Sequence, residues 1–144
     1  MKSKYGAKKI IVDGITFDSK DEAKYYEYLK KRKAKEEILN FELQPKYELQ
    51  PKFSKNNKKF LPVNYIADFL IYHNDSSEEV VDVKGMATET ALLKRKLFEY
   101  SYPNLKLTWV VRNLAHGNED GWINYDELKK IRKEIKKCKK LVKR

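Results

Sequence analysis

Residues 63–85 read VNYIADFLIYHNDSSEEVVDVKG, in which two apolar runs flank a short polar stretch. The run at 63–72 is apolar on both of its alternating faces, which predicts one continuous strand near the centre of a sheet. Such a strand would place Tyr65 and Phe69 on one face and Asp68 on the other. The polar stretch at 73–77 predicts a turn, and 79–84 predicts a second strand. Because the connection is short, we expect these strands to pair as antiparallel neighbours.

The chain before this stretch predicts a hairpin and then a helix. Residues 9–17 carry Asp13-Gly14 between two β-rich runs, a pair typical of a type I′ turn, in which both positions need a positive φ. Residues 19–33 predict a helix because Ser19 is a good N-cap and apolar residues recur at helical spacing.

A six-residue duplication links that helix to the two central runs. ELQPKY at 42–47 is followed at once by ELQPKF at 48–53. Since each proline lacks an N–H, the duplication predicts an edge strand or two short extended pieces. The polar residues 54–59 predict a mobile loop.

The chain after residue 85 predicts a helix, a strand, a loop and a final helix. The first helix is capped by Thr88 or Thr90 and turns three side chains inward: Leu93, Leu97 and Tyr100. A strand buried on both faces is expected at 105–111, and 112–124 is expected to be a loop. The last helix begins near Asp126 and carries an apolar stripe: Leu128, Ile131, Ile135, Cys138 and Val142.

This order of elements predicts an α/β fold with a mixed central β-sheet flanked by helices. The length of 144 residues predicts one domain, 1–144, ending in a basic helix at about 125–144. No apolar run approaches the roughly 20 residues that a membrane span needs, and no signal segment precedes the hairpin, so we expect a cytoplasmic protein without membrane contact. The single cysteine excludes an intrachain disulfide framework and a thiolate zinc site.

The net charge of +11 favours a polyanionic partner, because lysine and arginine release counterions from a phosphate backbone. Residues 125–144 contain ten Lys or Arg and three Asp or Glu, a net of +7. The alternative is a soluble protein with a solvated basic face, which net charge alone does not distinguish.

Two carboxylates and a lysine are the residues in the central runs that suggest chemistry. Asp68 lies between Ile66 and Leu70, where an unpaired carboxylate is costly to bury. Asp82 and Lys84 are two positions apart, so their side chains share a face about 6.5–7 Å apart. Neighbouring carboxylates repel each other, and an oxygen-preferring cation such as Mg²⁺ or Mn²⁺ relieves that repulsion. The alternative is an exposed Asp82–Lys84 ion pair with Asp68 capping a turn.

Ala67-Asp68 followed by Asp82-Val83-Lys84 resembles the PD-(D/E)xK nuclease superfamily, with Ala67 in place of the signature proline. Glu22 matches the glutamate that these enzymes carry on a preceding helix. The resemblance spans residues 10–111 and is closest to small phage and prophage endonucleases likened to Holliday-junction resolvases. It implies a restriction-endonuclease-like core in a protein of a bacterial host cell, encoded by the host, a phage or a prophage.

The resemblance also implies a site and a reaction. Asp68, Asp82, the carbonyl of Val83 and Glu22 would hold Mg²⁺, with Mn²⁺ as a substitute, and Lys84 would orient or deprotonate the attacking water. The reaction would be hydrolysis of DNA phosphodiester bonds, with a role in recombination or processing of phage DNA. Glu22 has a second interpretation, because Ser19-x-x-Glu22 is also a capping box.

Several surface lysines are candidates for DNA contact: Lys94, Lys96, Lys133, Lys136, Lys137 and Lys140. An ordinary solvated helix face explains the same residues equally well. The rival functions are a non-catalytic basic nucleic-acid-binding module and a protein–protein adaptor that uses the C-terminal helix. A homodimer is left open, because junction resolution needs a symmetric pair of subunits.

Overall fold

A computed structural model describes residues 9–143; residues 1–8 and Arg144 lie outside the described part. Eleven strands and three helices occur in this part. In chain order they are β1 Ile10–Val12, β2 Ile15–Phe17, α1 Lys20–Ala34, β3 Asn40–Leu43, β4 Lys46–Gln50, β5 Phe53–Lys55, β6 Lys58–Phe60, β7 Val63–Ile66, β8 Phe69–Tyr72, β9 Glu78–Val83, α2 Glu89–Ser101, β10 Lys106–Arg112, β11 Trp122–Asn124 and α3 Tyr125–Val142.

The central sheet has five strands in the order β11-β10-β9-β8-β3. β9 and β10 are parallel, with α2 as the crossover between them, and the other three pairs are antiparallel. β8 and β9 pair as the short polar turn predicts, with Phe69 opposite Val81. The predicted α/β fold with a mixed central sheet and flanking helices is confirmed.

Helices cover both faces of this sheet. α1 buries Ala23, Tyr25, Tyr26 and Leu29 against one face, in a cluster that includes Phe69 and Val81. α2 buries Phe98 against the other face, together with Val80 and Leu70. The first turns of α3 pack on the β10–β11 edge through Leu128.

The first apolar run is two strands, so the prediction of one continuous strand is wrong. β7 pairs with β4 in a separate ladder, whereas β8 lies in the central sheet between β3 and β9. The chain passes from one to the other at Ala67-Asp68, where Ala67 N–H donates to the Pro45 carbonyl at 3.1 Å. The break reverses the alternation, so Tyr65 packs on the α2 side and Phe69 on the α1 side.

The duplication folds as two separate pieces, which was one of the two predicted outcomes. Its first half contributes β3 to the central sheet, and its second half contributes β4 to the ladder with β7. Gln44, with φ of 50°, and Pro45 turn the chain between them.

The N-terminal hairpin and the start of α1 agree with the prediction. Ile10 pairs with Phe17, and Asp13 and Gly14 have φ of 52° and 76°. Ser19 is the N-cap of α1, and its Oγ accepts a hydrogen bond from Glu22 N–H at 3.1 Å.

Two predicted loops contain strands that sequence reasoning missed. Residues 54–59, expected as a mobile loop, belong to the β5–β6 hairpin, whose turn residues Asn56 and Asn57 both have positive φ. Asparagine tolerates the left-handed region, so Asn-Asn can replace the usual Asn-Gly turn. Within 112–124, β11 pairs with β10 as an edge strand.

The predicted inward faces of α2 and α3 are wrong in part. Thr88 caps α2, but Leu93, Leu97 and Tyr100 are exposed, because the helix meets the sheet through Phe98. In α3, Leu128 is buried and Ile131 is half-buried, whereas the rest of the stripe is exposed: Ile135, Cys138 and Val142. The helix extends beyond the sheet, so its later turns have no sheet to pack on. Between residues 9 and 143, no helix has the length and apolarity needed to cross a membrane.

Candidate carboxylate–lysine site

Asp68 and Asp82 are held side by side by two hydrogen bonds from backbone amides. Asp68 N–H donates to Asp82 Oδ1 at 2.9 Å, and Val83 N–H donates to Asp68 Oδ2 at 2.8 Å. Asp68 lies at the break between β7 and β8, and Asp82 lies on β9, directly beyond the Phe69–Val81 pair. The predicted proximity of the two carboxylates is therefore present, because Asp68 and Asp82 are the residues that adjoin the Phe69–Val81 pair of β8 and β9.

Asp82 is the buried member of the pair, with 3% of the residue exposed. The Tyr65 hydroxyl donates to Asp82 Oδ2, and Trp109 Nε1–H donates to the Tyr65 hydroxyl at 2.8 Å. Neither Tyr65 nor Trp109 is among the candidate site residues that the sequence indicates. A signal was available for Tyr65, because a buried tyrosine hydroxyl needs a polar partner. The sequence carries no such signal for Trp109, because its place beside this site depends on the parallel pairing of β10 with β9.

Lys84 follows β9 and faces the same carboxylate. Its Nζ lies 3.5 Å from Asp82 Oδ2 and 4.9 Å from the centre of the Trp109 ring. The Lys84 side chain keeps 22% of its surface exposed. It can therefore contact a molecule that approaches from solvent, while Asp82 and Trp109 restrict its position.

Glu22 approaches the pair from the α1 side of the sheet. It lines a cavity of about 90 Å³ together with Asp68 and Gln44, and Asp82 is not among the lining residues. Burial and the nearby charges of Asp18 and Asp82 raise the pKa of Glu22, while hydrogen bonds at Asp18 and Ser19 lower it. Glu22 thus belongs to the capped first turn of α1 and also lines the same small cavity as Asp68.

Burial and, after it, the crowding of acidic groups determine the electrostatics of the site. Burial, then the charges of Asp82 and Glu22, raise the pKa of Asp68 to about 8, against the lowering effects of the Val83 N–H and Lys84. One lysine does not compensate three carboxylates, so an additional cation would be favourable here.

The donor set suits a hard cation such as Mg²⁺, because each carboxylate oxygen can accept a hydrogen bond and still bind a metal ion. Within residues 9–143, however, no three His, Cys, Asp or Glu side chains converge closely enough to form a metal site by themselves. Any bound ion would therefore need backbone or water oxygens besides Asp68 and Asp82. The Val83 carbonyl expected from the resemblance is such an oxygen.

The predicted DNA-contact lysines fall into three groups. Lys94 is half-buried and Lys96 is exposed on α2. Lys133 and Lys136 line a groove of about 420 Å³ that begins at Gly85, the residue after Lys84, and whose cationic lining also includes Lys129 and Arg132. The remaining two are exposed on α3 and do not line this groove: Lys137 and Lys140.

The chain belongs to the DUF1064 family, described as proteins of unknown function, whose sequence profile matches residues 2–118. That match contains Glu22, Asp68, Asp82 and Lys84, and it ends before α3. No curated protein matches the sequence.

The raised pKa of Asp68 predicts a stability that depends on pH. In metal-free buffer the Asp68 carboxyl holds its proton more tightly in the folded protein than in the unfolded chain, over a window of about pH 4 to 8. The contribution of Asp68 to the free energy of unfolding should therefore fall as pH rises through this window. Asp68→Asn should be more stable than the parent at pH 8, and the difference should vanish near pH 4. Urea unfolding across pH measures this, with Glu99→Gln on exposed α2 as the control; an equal effect of both variants would contradict it.

The Tyr65 hydroxyl predicts a second effect on stability. Tyr65→Phe removes one hydrogen bond to the buried Asp82 and leaves Trp109 Nε1–H without its acceptor. We expect a loss of about 2 kcal/mol in the free energy of unfolding. Tyr100→Phe is the matched control, because Tyr100 is 87% exposed, and it should change stability by less than about 0.5 kcal/mol. Equal urea midpoints for the two variants would disprove the role of the hydroxyl.

Proposed function

We propose that this protein is a Mg²⁺-dependent endonuclease that hydrolyses phosphodiester bonds in DNA. The observation that supports the proposal is the pair formed by half-buried Asp68 and buried Asp82, with Lys84 beside it. Burying carboxylates beside each other costs free energy. Such carboxylates, with one partly exposed lysine next to them, are typical of a functional centre. The proposal includes the PD-(D/E)xK resemblance and an action on DNA inside a bacterial cell.

Each residue has a defined task in this proposal. Asp68, Asp82 and the Val83 carbonyl would hold the ion, and Glu22 would reach it directly or through water. When bound, Mg²⁺ would supply a more acidic water and positive charge beside the phosphate. Lys84 would orient the attacking water and stabilise negative charge on the phosphate. Tyr65 would keep the Asp82 carboxylate in place.

The groove along α3 offers a path for the DNA backbone. It starts next to Lys84 and carries four cationic side chains, Lys129, Arg132, Lys133 and Lys136. They recur at i, i+3, i+4 and i+7, so they share one face of the helix. A phosphate chain lying along this face would lead to the carboxylate pair.

A non-catalytic nucleic-acid-binding module is the second candidate. The observation in its favour is that both oxygens of Asp82 already accept hydrogen bonds, from Asp68 N–H and from Tyr65. In that case the carboxylates would hold β7, β8 and β9 together and would have no substrate. Cleavage separates the two candidates.

Substitutions at the site should abolish cleavage without unfolding the protein. Asp68→Asn and Asp82→Asn each remove a charged ligand at constant size, so both should abolish Mg²⁺-dependent cleavage. Lys84→Ala should also abolish it and leave metal affinity largely intact, since lysine is not a ligand. Glu22→Gln should give the mildest defect, because Ser19 remains to cap α1. The measurement is cleavage of linear duplex, single strand, flap and four-way junction, with calorimetry for Mg²⁺.

The control is Lys35→Ala, at an exposed position after α1, which should cleave like the parent. Thermal melts exclude misfolding. Folded Asp82→Asn that cuts at the parental rate would refute the nuclease assignment. Preferential cutting of the junction, together with a dimer in solution, would assign the protein to the resolvase-like group.

The groove predicts a salt dependence of DNA binding in the absence of metal. Lys133→Gln and Arg132→Gln should each make the slope of log affinity against log salt shallower by about 0.9, the value for one neutralised phosphate. Lys130→Gln changes the same charge at an exposed position that does not line the groove, and it should leave the slope unchanged. Titrations at several salt concentrations measure the slopes. Equal slopes for all three variants would exclude this path.

A further inference from the structure

The β5–β6 hairpin is a basic ribbon outside the central sheet. Its two strands pair only with each other within residues 9–143, and every residue in them is exposed. Residues 52–60 contain four lysines and no acidic residue. None of these lysines forms an ion pair with another described residue. The hairpin therefore presents uncompensated positive charge.

The pairing within the hairpin places like charges opposite each other. Lys55 pairs directly with Lys58 beside the turn, an arrangement that costs stability in a sheet. An anionic partner would relieve this repulsion. Phe53 and Phe60 form the opposite end, with ring centres 4.7 Å apart and planes within 7° of parallel. This stack stiffens the base of the ribbon.

The cations lie on both faces of the ribbon. Lys55 and Lys58 share a face with the phenylalanine pair, whereas Lys59, opposite Ser54, lies on the other face. A single strand could engage only one face at a time. The two walls of a duplex groove present phosphates on both sides, and the major groove, about 12 Å wide, admits a two-stranded β-ribbon.

We propose that the β5–β6 hairpin enters the major groove of duplex DNA and anchors the duplex beside the carboxylate–lysine site. This inference rests on DNA as the proposed partner. Phe60 and Asp68 are eight residues apart, so they are separated by at most about 29 Å, or roughly eight to nine base pairs. The hairpin therefore contacts the duplex within one helical turn of the bond that is cut.

The test is duplex binding by Lys55→Gln/Lys58→Gln/Lys59→Gln in chelator, where no cleavage occurs. The log–log salt slope should be shallower than in the parent by about 2.7, the value for three phosphates. The matched control is Lys9→Gln/Lys35→Gln/Lys106→Gln, which removes the same charge from exposed positions elsewhere and should change the slope by much less. Thermal melts establish that both variants are folded.

Two further measurements decide between entry of the hairpin into the major groove and electrostatic attraction to phosphates without such entry. Guanine N7 lies in the major groove, so dimethyl sulfate should modify it less in the parental complex and normally in the hairpin variant. Affinity for single-stranded DNA should fall less than affinity for duplex. Equal losses for the two DNAs, equal slopes for the two triple variants, or unprotected guanines would overturn the proposal. Because binding is measured without metal, the two proposals are tested separately. The proposed role of the hairpin can be refuted while cleavage persists, and cleavage can be absent while the hairpin still binds the duplex.

Discussion

Two hydrogen bonds, from Asp68 N–H to Asp82 and from Val83 N–H to Asp68, fix the centre of this fold. They bridge the point where the chain leaves the β4–β7 ladder and enters the central sheet. The backbone of Asp68 keeps its sheet partners, because its N–H also donates to the Val81 carbonyl at 3.2 Å and its carbonyl accepts from Gln44 N–H at 2.9 Å. The two carboxylates add side-chain hydrogen bonds to these backbone bonds at the point where β7 ends and β8 begins.

The same arrangement places two carboxylates with different surroundings next to each other. Asp82 is stabilised by Tyr65, Trp109 and Lys84, whereas Asp68 is destabilised by its acidic neighbours and has a raised pKa. The Asp68 carboxyl therefore keeps a proton to a higher pH than an ordinary aspartate does. A carboxyl perturbed by burial and by specific acidic neighbours is typical of functional sites, which is why the pair supports a proposal of function.

The sequence predicts those features of the fold that depend on a local residue pattern or on a short connection between two strands. The Asp13-Gly14 turn, the Ser19 cap and the β8–β9 pairing all follow from neighbouring residues. The break at Ala67-Asp68 was not predictable by alternation, because apolar residues occupy both sides of it and give no change of period. The face of α2 was misassigned because Leu93 and Leu97 fit a helical stripe as well as Phe98 does. In the site, Asp68, Asp82 and Lys84 were found from two adjacent runs, whereas Trp109 depends on a parallel pairing across a helix.

The five-stranded sheet ends in two short strands, β3 with four residues and β11 with three. Gln44 and Pro45 stop β3, and proline offers no N–H to an incoming strand. A long unpaired margin would invite another molecule to add a strand and begin aggregation. Short outer strands leave little room for such addition. The proline in the first half of the duplication thereby limits strand addition at the β3 margin of the sheet, a contribution independent of any reaction that the protein performs.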